Sequence, residues 1–250
     1  MRRLTRSVEN HAVRSEDSAP SSSIDSAVRR LDDLITSYLP GLALEGKEPP
    51  EFIPPTPPIT PDEAQGFLRA IKAGIFDIGD DGKCWPRGLR PSTGYCYPLL
   101  ERRNKSKNEV RLWREWLTHA AAAEILHVHY GYPLHDIALD VDALDVLVYS
   151  PLNQPLIAVE VKKSSRELDA MLNEMRKLEQ EPFDITHHAP LSNAKKKFRS
   201  LLALRPVFFL ALAPGGVKRA YAVRHPDDPS VPTVELMEIP DVPRASSLGR

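Results

Sequence analysis

Residues 144–163 read LDVLVYSPLNQPLIAVEVKK, two apolar runs joined by Ser150-Pro151-Leu152-Asn153-Gln154-Pro155. Leu144 to Tyr149 and Leu156 to Val161 are built almost wholly from Leu, Ile, Val and Ala, in strand-length runs bounded by turn residues. The six connecting residues are too few for a crossover, so the second run returns antiparallel as a hairpin. With the turn centred between Leu152 and Asn153, paired residue numbers sum to 305, and Asp145 falls opposite Glu160. Alternation at period two then puts Asp145, Glu160 and Lys162 on one face, with Leu144, Val146, Val148, Ile157, Val159 and Val161 on the other. Two carboxylates with Cβ atoms roughly 5 Å apart oppose folding unless a cation compensates them. Lys162 can do so, and so can a divalent ion, because carboxylates at that spacing share hard metals such as magnesium. An Asp/Glu/Lys ion-pair cluster at a sheet end would satisfy the same charges without metal.

A third acid comes from the segment before the hairpin. From Asn108 to Tyr130, NEVRLWREWLTHAAAAEILHVHY carries Val110, Trp113, Leu117, Ala120, Ala121 and Val128 along one helical stripe. Glu124 falls inside that stripe, which directs a carboxylate toward the core. The small residues Ala120 to Ala123 would let this helix approach the sheet closely and bring Glu124 near Asp145 and Glu160. At the edge of the stripe, Glu124 would instead reach solvent or pair with a lysine or arginine.

A helix with an inward Glu, then Asp145, a gap of fourteen residues, then Glu160-Val161-Lys162 and a helix-forming stretch resembles the core of the PD-(D/E)xK nuclease superfamily. The resemblance runs from about Asn108 to Gln180, more weakly to Val223, and covers little of the first hundred residues. Leu144 stands where the motif's proline would precede the aspartate. The resemblance implies that Asp145 and Glu160 hold Mg²⁺ or Mn²⁺, helped by the Val161 carbonyl and Glu124, and that Lys162 positions or helps deprotonate the attacking water. It also implies phosphodiester hydrolysis, in which the metal lowers the pKa of its water and polarises the phosphoryl oxygen. By the habits of that superfamily the polymer is DNA, with RNA as the other candidate.

The rest of the chain sets bounds. Its 250 residues, 42% hydrophobic and 27% charged, suffice for one sizeable globular domain with extensions. A formal net charge of −1 gives no overall pull toward a polyanion, so nucleic-acid contact rests on local patches. The strongest patch is Lys195, Lys196, Lys197 and Arg199 in NAKKKFRSLLAL, which suits phosphate contact and equally a solvated helix face. A second candidate path is the Gly-, Pro- and Arg-rich stretch with Arg87, Arg90, Trp85, Tyr95 and Tyr97, where Arg would meet phosphates and aromatics would meet unpaired bases. The same aromatics could simply pin a loop. His187 and His188 could lie near the site. Cys84 and Cys96 are too few and too far apart for a disulfide framework or a zinc site. With no apolar run of about eighteen residues and no apolar leader, a soluble, cytoplasmic protein without membrane contact is expected.

The expected layout is a disordered, serine-rich tail over 1–23, an amphipathic helix over 24–45, a proline-rich linker over 46–60, an α/β domain over 61–240 with its core at 108–224, and a polar tail over 241–250. Ile24, Val28, Leu31, Ile35 and Leu39 share the helix's apolar face, which needs a partner: the main domain, a second copy in a homodimer, or another protein. Seven prolines in the fourteen residues from Glu48 to Pro61 suggest a semi-stiff connector. Thr60-Pro61-Asp62-Glu63 then opens a helix with a capping box. SSRELDAMLNEMRKLEQ is a helix with Leu168, Met171, Leu172, Met175 and Leu178 inward. PVFFLALAPGGVKRAYAV gives two strands about a Pro-Gly-Gly turn, and TVELMEI an edge strand. The fold class expected is α/β, a central mixed β-sheet flanked by helices, restriction endonuclease-like, with an N-terminal helical extension. The expected activity is that of a metal-dependent nuclease. Two other classes compete: an inactive nuclease-like fold that binds nucleic acid or protein, and an adaptor whose working surface is the first helix.

Overall fold

The computed structural model describes residues 21–44, 47–91, 96–102, 107–180, 192–225 and 234–248. In chain order its elements are α1 (Ser21–Tyr38), β1 (Glu51–Ile53), α2 (Pro61–Lys72), β2 (Phe76–Ile78), β3 (Lys83–Pro86), β4 (Tyr97–Pro98), β5 (Leu100–Glu101), β6 (Glu109–Leu112), α3 (Arg114–Glu124), β7 (Ile137–Val141), β8 (Leu144–Tyr149), β9 (Pro155–Val161), α4 (Ser165–Gln180), α5 (Asn193–Leu204), β10 (Phe208–Ala213), β11 (Val217–Arg224) and β12 (Glu235–Ile239). Six of the strands form a mixed sheet in the order β12-β11-β10-β9-β8-β7, antiparallel throughout except where β10 runs parallel to β9. A parallel neighbour requires a crossover, and α4 and α5 supply it. The chain is therefore α/β with a mixed central sheet.

The hairpin takes the expected register. Val146 pairs with Val159, Leu147 with Ala158 and Val148 with Ile157, and the ladder shifts by one residue near the turn, where Tyr149 meets Pro155. Val146, Val148, Ile157, Val159 and Val161 join the core that contains α2 and α3, while Leu147 and Ala158 face Leu168, Met175, Phe198 and Leu201 of α4 and α5. Leu144 departs from the expected alternation and packs with the second group. Its strand begins just after Asp140 and Asp142, both at positive φ (50° and 55°), and this irregular entry breaks the period.

The same end of the hairpin opens. Lys162 N–H donates to Leu212 O of β10 at 2.9 Å, so the preceding Val161 N–H faces β8. It donates to the Asp145 carboxylate at 2.7 Å instead of to a β8 carbonyl. The aspartate side chain thus takes the place of a backbone rung, and the two strands splay around it.

Several sequence expectations need correction. The helical reading of Asn108 to Tyr130 holds only from Arg114. Residues 109–112 form β6, in which Val110 and Leu112 are buried and Arg111 is exposed, a period of two set by pairing with β1 and β5. The proline-rich segment is not a free connector, since Glu51–Ile53 adds to β6 as a parallel strand. Helix α1 takes the first of its three expected partners, the main domain: Ala27, Leu31 and Ile35 are buried and Val28 and Leu39 pack beside them, in the core shared with α2. The C-terminal stretch is docked too, with Val242 and Ala245 buried and Tyr132 Oη donating to Pro243 O at 2.7 Å. Other readings hold. Thr60 and Glu63 form the capping box of α2, Leu168, Met171, Leu172, Met175 and Leu178 of α4 are buried, and β12 is an edge strand. Residues 1–20, Tyr95, His187 and His188, and the side chain of Ile24, lie outside what is described. Among the described residues no helix is long and apolar enough to cross a membrane.

Candidate active site at the splayed end of the hairpin

Asp145 and Glu160 meet where β8 and β9 part. Glu160 is fully buried and Asp145 nearly so. Lys162 binds Glu160 Oε1, and its ammonium also lies 3.4 Å from the Val161 carbonyl. A second lysine enters from α5: Lys197 Nζ stands 3.0 Å from Asp145 Oδ1 and 2.7 Å from Glu160 Oε2. The contact with Oε2 is a close ion pair without the alignment of a hydrogen bond, and that oxygen accepts none among the described residues. Three of the four residues expected at this point, Asp145, Glu160 and Lys162, therefore come together.

Glu124 does not join them. It is buried, but its Oε1 accepts from Arg69 Nε of α2 at 3.2 Å. At 100° per residue Glu124 lies about 140° around α3 from His119 and about 180° from Glu115. Those two residues face the site. The expectation failed because α3 is buried on two sides, and its run of alanines serves α2 as well as the sheet: a Cβ added to Gly66 would lie 2.7 Å from the Cβ of Ala121.

His119 is buried, with Nε2 3.7 Å from Asp145 Oδ1 and Nδ1 3.4 Å from Asp140 Oδ1. Nε2 has no hydrogen-bond partner among the described residues. Glu115, His119 and Asp145 each offer one ligand atom within 4.8 Å of the others. A carboxylate at one imidazole nitrogen and an open second nitrogen is the arrangement that orients a ligating histidine. His119 Nε2, buried and without a hydrogen bond among the described residues, and Glu160 Oε2, held only by the Lys197 ion pair, thus flank Asp145, and the donor set suits a divalent cation. Glu115 and His119 were readable as an i, i+4 pair on one helix face, but only once α3's phase against the sheet was known.

The electrostatics drive the two carboxyls apart. Burial pushes Glu160 up, the Asp145 charge adds to this, Lys197 and Lys162 oppose it, and the balance lies at about 8. Burial pushes Asp145 up as well, but His119, Lys197, Lys162 and the Val161 N–H outweigh it and hold Asp145 below the usual carboxylate range. Burial would lower Lys197, yet Glu160 and Asp145 raise it. Asp140 is raised, first by burial, against the pull of His119 and Tyr97. Carboxyls tuned in opposite directions within one buried cluster are a mark of functional sites, though structural ion pairs share it.

A cavity of about 840 Å³ opens beside Lys162, its polar wall mixed in charge, with Arg111, Arg114 and Lys163 set among Glu115, Glu167 and Glu174. A second, of about 640 Å³, lies toward Arg69, Glu124 and Lys218, and Thr118 and Val161 border both. The expected nucleic-acid contacts divide. Lys195, Lys196 and Arg199 are exposed on α5, whereas Lys197 sits beside the buried stripe Ala194, Phe198 and Leu201 and turns into the site. Arg87 is exposed and paired with Asp77, and the Arg90 guanidinium lies 3.7 Å over the Tyr149 ring. Tyr97 is buried and stacked on Trp116, with centroids 3.8 Å apart, while Trp85 is exposed. Comparison with protein-family models, curated proteins and solved structures finds no match.

Proposed function

We propose that the chain is a divalent-metal-dependent nuclease of the PD-(D/E)xK kind, with the restriction endonuclease-like core that this implies, hydrolysing phosphodiester bonds in DNA. The observation that carries the reading is the convergence of Asp145, Glu160 and Lys162 at the opened end of a hairpin, with His119 beside them and a cavity of mixed charge alongside. Asp145, Glu160 and His119 would hold Mg²⁺ or Mn²⁺, with Glu115 and the Val161 carbonyl as further donors. Such an ion, when bound, supplies Lewis-acid stabilisation of the phosphoryl oxygens and a more acidic water. The chain's own groups do the rest. Asp145 stays ionised at neutral pH and keeps negative charge at the site, and Glu160 exchanges its proton near neutrality. Lys162, 19% exposed, borders the cavity and can orient a water or a phosphate oxygen in line. Arg111 offers the cavity a phosphate contact that would position a strand without reading its sequence, and Lys163 would add a second on leaving its pair with Glu167. DNA as the polymer rests on the superfamily resemblance alone.

One observation favours a second reading, a catalytically silent nuclease-like fold that binds nucleic acid or protein. Two ammonium groups face Asp145 and Glu160, so the two carboxyls are fully compensated without metal. The test is incubation with supercoiled, linear duplex and single-stranded DNA and structured RNA in Mg²⁺, Mn²⁺ or EDTA, beside Lys162→Ala and Asp145→Asn. Metal-dependent cleavage that both substitutions abolish is expected, and the cleaved polymer names the substrate. Binding without cleavage by a folded wild type would establish the second reading.

A further inference from the structure

Lys197 occupies the space between the two candidate ligand carboxyls. Its ammonium is the only cation among the described residues in contact with both Asp145 and Glu160, at 3.0 and 2.7 Å, and its side chain is 13% exposed. Lys162 touches Glu160 and the Val161 carbonyl, so it can stay while the space between the carboxylates changes hands. With both lysines in place Asp145 and Glu160 are already compensated, and a divalent ion added beside them would leave excess positive charge in a buried cluster even with Glu115 as a further ligand, which is costly. One lysine has to leave, and the geometry selects the one that bridges.

We infer that Lys197 is a built-in competitor for the metal, holding Asp145 and Glu160 together as a placeholder until a divalent cation displaces it. The inference rests on the metal-dependent reading of the site. The structure also offers the ammonium a destination. Asn193 and Ala194, one turn earlier on α5, line the 840 Å³ cavity beside Lys162, so a four-carbon stem can swing its charge toward open solvent and toward any phosphate held there. His119 Nε2, buried and without a hydrogen bond among the described residues, is the atom that lysine as the cation leaves unused, while Glu160 Oε2 is held by Lys197 alone. A spherical ion could use both atoms, whereas an ammonium can use only the carboxylate. Lys197 thereby links metal binding to a position on α5, and the linkage is reciprocal: whatever draws Lys197 outward, including a bound phosphate, tightens the metal.

Two measurements on the full chain test this. Calorimetric titration with Mn²⁺ is expected to show binding to wild type, and binding to Lys197→Met tighter by at least about tenfold, within the usual range of site-to-site coupling. Lysine acetylation followed by mass spectrometry, on wild type in EDTA and in saturating Mn²⁺, is expected to show Lys197 protected without metal and reactive with it. Exposed Lys195 and Lys196 should react equally in both. The labelling uses only wild type, so it stands even where Lys197→Met fails to fold, and it separates displacement from the general gain any lost positive charge gives a cation. Mn²⁺ binding that leaves Lys197 protected, or that a folded Lys197→Met leaves unchanged or weakened, overturns the inference and leaves the metal site standing. Absence of Mn²⁺ binding to both proteins overturns the metal site and the inference together.

Discussion

Glu160 should give the metal-free protein a distinctive pH dependence. Its carboxyl is raised from 4.5 to about 8 in the folded state, so between those values the folded chain holds a proton that the unfolded chain has released. Such a group contributes stability that is full below the unfolded value and is lost as pH rises through the folded one. Asp145 is shifted downward, so its contribution is complete above its ordinary value, and Lys197 is shifted upward, so its contribution fades only at more alkaline pH. Neither changes across this window. Urea unfolding in EDTA should therefore show, between about pH 5 and about pH 8, a more downward slope of stability with pH in wild type than in Glu160→Gln, the lowered His225 acting in the opposite sense in both. Equal slopes in the two proteins would mean that Glu160 ionises as freely folded as unfolded. The residues of this cluster were unequally legible. Asp145, Glu160 and Lys162 lie on one hairpin, where period-two alternation and a short turn fix who faces whom. His119 and Lys197 come from separate helices, Lys197 from 52 residues beyond Asp145, and a helix's rotation about its axis is set by packing that local pattern does not encode.

At the scale of elements, the site depends on how α3 is held, and that is decided at α2. Glu63 completes the α2 capping box and also receives Arg114 in a two-pronged pair at 2.7 Å for each contact, which ties the first turns of the two helices together. Burial pushes Glu63 up, but Arg114 and Thr60 outweigh it and hold the carboxyl below its usual range, so the tie persists at neutral pH. Near the middle of α2, Gly66 allows close approach to Ala121 of α3. Its φ is not in the left-handed region, so alanine would be favoured there by helix propensity, by about 1 kcal/mol. The new methyl would nevertheless meet Ala121 at 2.7 Å, and separating two packed helices costs about 1–3 kcal/mol. Gly66→Ala is thus expected to lower stability in thermal unfolding; a rise in Tm would show that α2 can shift away without loss. The capping box was readable because its signal is confined to four residues. The switch from β6 to α3 was not, because Val110 and Leu112 fit a helical stripe as well as a strand alternation until β1 and β5 supply the hydrogen bonds.

At the scale of the whole molecule, segments that read as appendages close the structure. Helix α1 covers α2, β1 extends the small sheet of β5 and β6, and the stretch after β12 returns to Tyr130, whose hydroxyl donates to Asp241 while Lys218 pairs with the same carboxylate at 2.5 Å. Composition suggested otherwise because prolines, serines and charges dominate these stretches, and their few apolar residues carry weight only through what they meet in three dimensions. The amphipathic face of α1 shows the difference most clearly. A free face built from Ile24, Val28, Leu31, Ile35 and Leu39 would ask for a second copy or another protein. With Leu31 and Ile35 already buried inside this chain, little of that face remains to offer. A chain starting at Pro58 would lose α1 and β1 together, exposing the side of α2 that α1 covers and leaving β6 with an unpaired edge. Light scattering and thermal unfolding on the full chain and on the shortened one separate the two roles. The expected outcome is that full-length mass gives no sign of association through α1, while the shortened chain unfolds at a lower temperature and aggregates. A shortened chain that keeps its Tm and loses half the mass of a full-length dimer would show instead that α1 leaves α2 in solution to join a second copy.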